Sequence, residues 1–305
     1  MNKLRLGFIC VCASAFIGCA TIPSDKVTAF SSGLSTAKTQ VNTAFAAVNT
    51  LTSDEVIDFA AAQSKLVDEN FYAVLDPAAI AKWNAAFDGL SKYAQSMTVL
   101  TSPDLTKDYK TATAELAAQI ENTGNKIKSA GLSSKAPDLS PGIATAFVEL
   151  GNFILKEKAA KDAKEIARKT DPTVARVFHF MDDNIQTIRG TVRANWERKK
   201  KHTDVEFRTA AASDKRRLAV EYSDLKDKQS QQDDALTSLQ RSLRALADAH
   251  HAIAAGSQFG VQEAVAIVKD EAKDTKQIYD QMKKALPTSA AKSPGSSTTA
   301  SNPDE

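Results

Sequence analysis

Apolar residues recur at alternating steps of three and four along nearly the whole chain after residue 26. Such spacing places one apolar face on a helix of 3.6 residues per turn. No run alternates apolar and polar residues for long enough to predict a strand, so the pattern predicts an all-α fold, with a shorter helix around 54–70. The three clearest stripes are Val27, Phe30, Leu34, Ala37, Val41, Phe45 and Val48; Ile80, Trp83, Phe87, Leu90, Ala94 and Met97; and Leu105, Tyr109, Ala112, Leu116, Ile120, Thr123 and Ile127.

The second half of the chain predicts longer helices. Sustained spacing of 3.5 residues is typical of coiled-coil packing. We therefore expect an elongated antiparallel helical bundle with long coiled-coil-like helices. The apolar seams are Val174, Phe178, Met181, Ile185, Ile188 and Val192; Leu218, Tyr222, Leu225, Gln229, Gln232, Leu236, Leu239, Leu243, Leu246, His250 and Ile253; and Val261, Val265, Val268, Ala272, Thr275, Tyr279, Met282 and Leu286.

Capping residues predict where the helices begin and end. A side-chain acceptor before a proline favours a helix start, and glycine favours a left-handed stop. The predicted starts are Asp76-Pro77, Ser102-Pro103, Ser140-Pro141 and Asp171-Pro172, with a capping box at Thr52 and Glu55, and the predicted stops are Gly131 and Gly256. The stretch 170–254 is either one helix or two helices broken near Lys199 to Asp204, where Thr203 and Glu206 offer another capping box.

Composition supports a helical body and argues against several functional classes. The chain has 305 residues with only 12 Gly and 9 Pro, which leaves few turn formers for a β-sandwich or barrel. Lys3 and Arg5 lie in a leader segment, and without them 37 basic residues stand against 37 acidic ones. A neutral body argues against nucleic-acid binding. No Cys occurs beyond residue 19, so the body has no disulfide or thiolate metal site.

The first residues have the pattern of an export signal. Met1 to Arg5 is short and basic, Leu6 to Ile17 is apolar, and small residues follow. The segment Phe16-Ile17-Gly18-Cys19 resembles the lipobox of bacterial lipoproteins, although Phe16 replaces the usual Leu. The resemblance, limited to residues 1–20, implies cleavage between Gly18 and Cys19 and a lipid on Cys19. The alternative is ordinary secretion with cleavage after Ala20.

The resemblance and the patterning together predict the organisation of the chain. Because Ala20 rather than Asp follows Cys19, the resemblance implies an outer-membrane lipoprotein, which we expect to face the periplasm. The stretch 131–140 is either a bundle loop or a hinge, and we favour the loop. The tail is rich in Ser, Thr, Ala and Pro and is expected to be disordered. The segments are 1–18, signal peptide; 19–25, lipid-anchored N-terminus; 26–131, N-terminal helical part; 140–286, long-helix part; and 287–305, tail.

One segment near the centre of the second half is strongly basic. Between Arg189 and Arg217, ten basic residues accompany four acidic ones. This surplus suits an anionic lipid, an acidic envelope protein or another anionic partner, and the alternative is a solvated helix face balanced by acidic neighbours. The basic residues are Arg189, Arg193, Arg198, Lys199, Lys200, Lys201, Arg208, Lys215, Arg216 and Arg217.

Catalytic and metal-binding motifs are absent from the sequence. His179 and Asp182 have a spacing compatible with two ligands on one helix face, but structural or surface roles are expected for all four histidines. Gln229, Gln232 and His250 interrupt a seam, which favours a role in register over a ligand site. The carboxylate pairs Asp182-Asp183 and Asp233-Asp234 are interpreted as solvated surface.

We expect a non-enzymatic envelope lipoprotein that serves as a helical scaffold or interaction module and has no cofactor. The alternative is a helical bundle that binds a small apolar ligand or a metal in a cavity near Gln229, Gln232 or His250. A hydrolase is a third hypothesis, and it requires Ser or carboxylate groups that converge in one cleft.

Overall fold

The computed structural model describes residues 22–63, 75–101, 109–129, 140–156, 163–257 and 260–285. These residues form seven α-helices and no strand, which confirms the predicted all-α class. The helices are α1 (Ser24–Gln63), α2 (Pro77–Leu100), α3 (Tyr109–Ser129), α4 (Ser140–Lys156), α5 (Ala163–Thr209), α6 (Ala212–Ala255) and α7 (Val261–Ala285).

The apolar stripes form most of the core, although Tyr222 of the predicted seam in α6 is 38% exposed. Every residue of the first stripe in α1, from Val27 to Val48, is at most 1% exposed. The stripe of α2 is likewise buried except for Ile80, which packs against the core from its edge. A single hydrophobic core runs from Ile22 to Met282, so the two predicted helical parts share one interior. The tail at 287–305 and the leader lie outside the described residues.

The helices pack as one connected bundle. α1 contacts α2, α6 and α7, α3 lies against α2 and α4, and α5 lies between α4 and α6. α1 and α2 are antiparallel, since Lys38 pairs with Asp88 and Asn49 bonds to Leu75. α1 and α7 run parallel instead, because Gly33 lies beside Val265 while Gln40, farther along α1, donates to Thr275, farther along α7, at 3.0 Å. The antiparallel arrangement is therefore not uniform, and the elongated shape stays a prediction.

Three predicted helix boundaries agree with the structure. The carboxylate of Asp76 caps α2 by accepting from the Ala79 amide at 2.6 Å, and Pro77 occupies the first turn. Gly256 ends α6 with φ of 68°, a left-handed conformation that glycine adopts without strain. α4 begins at Ser140, as predicted. The predicted signals at Ser102-Pro103 and Gly131 lie outside the described residues.

Two predicted helix starts, at Thr52 and at Asp171-Pro172, are wrong. Thr52 lies inside α1, where its hydroxyl donates to the Val48 carbonyl at 2.9 Å rather than capping a new helix. α5 begins at Ala163 and continues through Pro172. Proline has no amide hydrogen, so Pro172 cannot donate to the carbonyl of Arg168 as a helical residue normally would. Both residues are exposed, so water can bond to that carbonyl instead.

The long second block is two helices, and the predicted position of the break is wrong. Thr203 is 2% exposed inside α5, and the chain turns at Ala210 and Ala211 instead. The α5 stripe keeps its period through the Lys199–Asp204 region, with Trp196 and Thr203 both buried. Two alanines form this turn, and alanine is not a residue that marks the end of a helix.

Candidate functional site: a helical hairpin with a basic tip

α5 and α6 form a long antiparallel hairpin. Side-chain hydrogen bonds and ion pairs, which we call clamps, hold the two helices together at successive levels. The Arg189 guanidinium donates to both oxygens of Asp233, at 2.8 and 2.6 Å. Two turns along the hairpin, Asp182 accepts from Arg244 at 2.9 Å and from Gln240 at 2.7 Å. The residue numbers of the partners on α6 fall as those on α5 rise, so the two helices are antiparallel. A bidentate arginine–carboxylate pair also fixes register geometrically.

These clamps correct the interpretation of the carboxylate pairs as solvated surface for one member of each pair, Asp182 and Asp233, while Asp183 and Asp234 are exposed as expected. The side chain of Asp182 is only 15% exposed and that of Asp233 is 35% exposed, and both face the partner helix. The hydrogen bonds that Arg189 donates to Asp233 raise the pKa of Arg189. His179 lies 3.5 Å from Asp183, whereas Asp182 accepts from Gln240 and Arg244 across the hairpin, so the two-ligand face considered for His179 and Asp182 is not formed.

A polar cluster joins α2, α5 and α6 near the other end of the hairpin. The Tyr93 hydroxyl lies 2.7 Å from the Thr170 hydroxyl and 2.9 Å from Nε2 of His250. Nδ1 of His250 and Nδ1 of His251 each lie 2.8 Å from one oxygen of Asp171. Because a carboxylate only accepts, both imidazoles donate to it. Tyr93 and His250 are each 1% exposed, so this network is part of the core.

The cluster perturbs the titration of its members. Burial raises the pKa of Tyr93 far above its usual range, although the bond to Thr170 opposes the shift. Burial alone would raise the pKa of Asp171, but the hydrogen bonds from His250 and His251 outweigh it and the net pKa is lowered. The same bond from Asp171 raises the pKa of His251. Asp171 and His251 therefore stabilise each other in their charged forms.

Gln232 connects three helices at one level. Its Oε1 accepts from the indole nitrogen of Trp196, and its Nε2 donates to the Val48 carbonyl at 3.3 Å. Gln232 is 1% exposed and Trp196 is equally buried. The polar atoms of Gln232 and His250 are occupied by protein partners, which favours their predicted role in register over a role in lining a ligand cavity.

The distal end of the hairpin has few buried side chains. Along residues 197–209 of α5 only Thr203 is buried, and along residues 212–231 of α6 only Leu218 and Leu225 are. We call residues 198–217 the hairpin tip. It contains eight basic and three acidic residues, so most of the predicted basic segment converges on one end of the molecule.

The ten predicted basic residues divide into two groups. Arg189 and Arg193 lie below the tip beside Asp233, and the Arg189 side chain is only 19% exposed. On the tip, three cations have a carboxylate partner nearby, with distances of 2.5, 2.6 and 3.5 Å, namely Lys200 with Glu197, Arg208 with Asp204 and Arg217 with Glu221. Among the described residues, no carboxylate partner is within 4.0 Å of Lys201, Lys215 or Arg216.

Apolar side chains are exposed between these cations. Val205 is 53% exposed and Val220 is 54% exposed. Phe207 is 36% exposed, with the Lys215 ammonium 5.6 Å above its ring. The connecting turn consists of small alanines. These exposed apolar residues cannot be recognised from the sequence, because the position of the turn decides which residues lie at the tip.

The opposite end of the hairpin lies beside the start of α1. Lys26, only 6% exposed, donates through its ammonium to the Ser257 carbonyl, just after the end of α6. A lysine there also complements the negative end of the α6 dipole. The Lys164 side chain lies next to Gly256, so α5 begins at the same end. We call this end the base.

A shallow groove between α6 and α7 is the remaining surface feature of interest. Its lining is polar and includes two carboxylates, with Asp234, Thr237, Ser238, Arg241, Asp274, Gln277, Ile278 and Gln281 contributing side chains. Arg241 is engaged with Glu271 at 3.4 Å. No histidine lies in the groove, so Ser238 has no imidazole base there.

The described ranges contain neither a metal-binding cluster nor a membrane-spanning helix. No cluster of three or more His, Cys, Asp or Glu side chains there is arranged to hold a metal ion. None of the described helices combines the length and hydropathy needed to span a bilayer. No family model, curated protein or solved structure matches this chain.

Proposed function

We propose that this chain is a non-enzymatic lipoprotein of the bacterial cell envelope that holds the hairpin tip at a distance from its membrane. The lipid is attached to Cys19, and the anchor lies on the outer membrane with the body in the periplasm. The molecule acts as a scaffold whose tip meets a partner. The proposal rests on the lipobox-like segment in the sequence together with the arrangement of base and tip.

The observation that carries the proposal is the contact between Lys26 and Ser257. It puts the start of α1 beside the end of α6, at the base. Ile22 is buried there, and the three residues from Cys19 to Ile22 reach at most about 10 Å. A lipid on Cys19 therefore holds the base close to the bilayer surface.

The length of α6 then sets the reach of the tip. α6 runs without interruption for 44 residues from the tip to the base. At 1.5 Å per residue this is about 65 Å. The clamps along α5 and α6 stiffen the hairpin over that distance, so the basic residues are held away from the anchored bilayer when the bundle stands upright.

Fractionation of cells that produce a Cys19→Ser variant tests the anchor. We expect wild-type protein in the membrane fraction at high salt and the variant in the soluble fraction, because several acyl chains bind a bilayer firmly while none remain in the variant. Cys12→Ser is the matched control, since it changes a cysteine of the same leader and should leave membrane attachment unaltered.

Mass spectrometry of the mature amino terminus completes this test. The proposal requires a diacylglyceryl cysteine at position 19. Membrane retention of Cys19→Ser at high salt, or an unmodified native terminus at Thr21, contradicts the proposal and leaves ordinary secretion as the explanation of the leader.

A further inference from the structure

We infer that the hairpin tip docks on an anionic lipid bilayer, as a second membrane contact about 65 Å from the base. This deepens the proposed function by naming the surface that the tip meets. The inference rests on the proposed lipid anchor only in calling this membrane contact the second one. Docking itself is measured without the lipid.

The hairpin tip carries a surplus of positive charge. The tip contains eight cations and three carboxylates, while the chain without its leader is neutral. The free cations Lys201, Lys215 and Arg216 lie on both helices of the hairpin and surround the turn. Arg198, Lys201, Val205 and Arg208 follow one another at steps of three and four, so they share one exposed face of α5. That face presents cations to a plane rather than to a narrow pocket.

The apolar content of the tip favours a lipid surface over a soluble polyanion. Val205 and Phe207 on the tip are 53% and 36% exposed, and Val220, three residues beyond the tip, is 54% exposed. Side chains of this kind lower the free energy of binding only when the partner offers an apolar phase, as the boundary between headgroups and acyl chains does. The turn at Ala210 and Ala211 is small enough to let the neighbouring cations approach the headgroups closely.

The same geometry disfavours nucleic acid. Binding of single strands uses aromatic faces on which bases stack. Trp196 is 1% exposed and its indole nitrogen is bonded to Gln232, so its ring is not available. The Phe207 ring is partly covered by Lys215. Within residues 198–217 Phe207 is the one exposed aromatic ring, and Tyr222, 38% exposed, lies five residues beyond the tip, so the tip itself does not offer a row of rings for stacking.

Cosedimentation with vesicles tests the docking. The probe is the full mature chain carrying Cys19→Ser, mixed with vesicles of phosphatidylglycerol and phosphatidylcholine or of phosphatidylcholine alone. We expect binding to the anionic vesicles that weakens as salt rises, and at least tenfold weaker binding to the neutral ones. Equal binding to both overturns the inference.

Charge neutralisation locates the contact. We expect the triple variant Lys201→Gln, Lys215→Gln and Arg216→Gln to bind anionic vesicles about 100-fold more weakly, since each cation near an anionic surface contributes about fivefold. The matched control neutralises three exposed cations of α7, Lys269→Gln, Lys273→Gln and Lys284→Gln, and should retain nearly all of the affinity. Equal losses in both triple variants overturn the inference. Circular dichroism verifies that both remain folded.

Removal of the exposed valines distinguishes a bilayer from other polyanions. The double variant Val205→Ser and Val220→Ser should bind anionic vesicles several-fold more weakly and bind soluble polyphosphate or DNA as the wild type does. Ile267→Ser on α7 is the control, and it should not change vesicle binding. If the valine variant binds vesicles as tightly as the wild type, or if DNA binds as tightly as the vesicles, the bilayer is not the partner and the inference fails.

The outcomes separate this inference from the proposed function. Failure of Cys19→Ser to leave the membrane fraction removes the anchor but does not affect vesicle binding by the unlipidated chain. Failure of vesicle binding removes the docking surface and leaves the anchored scaffold in place.

Discussion

The close packing of α2 against α3 and α4 leads to a prediction with a built-in control. Gly89 of α2 faces both neighbours, and a Cβ added there would lie 2.6 Å from Cγ2 of Thr123 and 2.7 Å from Cε1 of Phe147. Gly190 on α5 is exposed, and a Cβ there would meet nothing within 4 Å. The same substitution to alanine should therefore have opposite effects at the two positions.

The magnitudes follow from two competing terms. Replacing a helical glycine with alanine stabilises the helix by about 1 kcal/mol. At Gly190 nothing opposes this gain. At Gly89 the clash requires side chains or helices to shift, and overpacking of this kind costs about 1–3 kcal/mol. We expect Gly89→Ala to lower the free energy of unfolding by up to about 2 kcal/mol and Gly190→Ala to raise it by up to about 1 kcal/mol.

Urea denaturation followed by circular dichroism measures both effects. The double variant Gly89→Ala with Thr123→Ser should recover part of the loss, because serine lacks the nearest methyl group and retains the hydroxyl that donates to the Gln119 carbonyl. The coupling between the two substitutions is the quantity to report. Shifts of the same sign and size for Gly89→Ala and Gly190→Ala would refute the assigned packing of these three helices.

Three further predictions concern the polar contacts of the core. Tyr93→Phe should lower the free energy of unfolding by about 1–3 kcal/mol in a thermal or urea melt, because His250 loses a buried partner; no loss would contradict the network. The stability difference between wild type and His251→Gln should be below about 1 kcal/mol because the side chain is exposed, and it should be larger near pH 5.5 than near pH 8.5. The sign follows because the pKa of His251 is raised, so its contribution is complete below the unfolded pKa and is lost as the pH rises through the folded pKa; a difference that grows with pH would contradict the bond to Asp171. Gln232→Leu should destabilise the chain by about 1–3 kcal/mol, since the buried indole N–H loses its acceptor, and an unchanged melting temperature would argue against the register role.

Local patterns predicted the parts of the fold that depend on neighbouring residues. The stripe of α1, the cap at Asp76 and the stop at Gly256 each follow from the chemistry of a few consecutive side chains. The errors at Thr52 and Pro172 have a shared cause. Each residue is a common boundary marker, but packing of the surrounding stripe against other helices outweighs the local preference, and the helix continues.

Long-range pairings were not predictable from one sequence. Asp171 and His250 are 79 positions apart, and nothing in the spacing of either residue identifies the other. The turn at Ala210 and Ala211 has no glycine, proline or capping side chain of its own, so periodicity alone could not locate it. Because that turn determines which basic residues converge at the tip, the candidate surface was visible in the sequence only as a charge surplus.

Energy transfer from the protein to a membrane surface tests the separation of base and tip directly. Without its leader, a lipidated chain has no free cysteine, so Ala255→Cys labels the base and Ala212→Cys labels the tip at single sites. Lipidated protein in phosphatidylcholine vesicles that carry an acceptor lipid should show strong transfer from the base label and little transfer from the tip label, about 65 Å away along α6. Equal transfer from both labels, or stronger transfer from the tip, would contradict the proposed anchored scaffold.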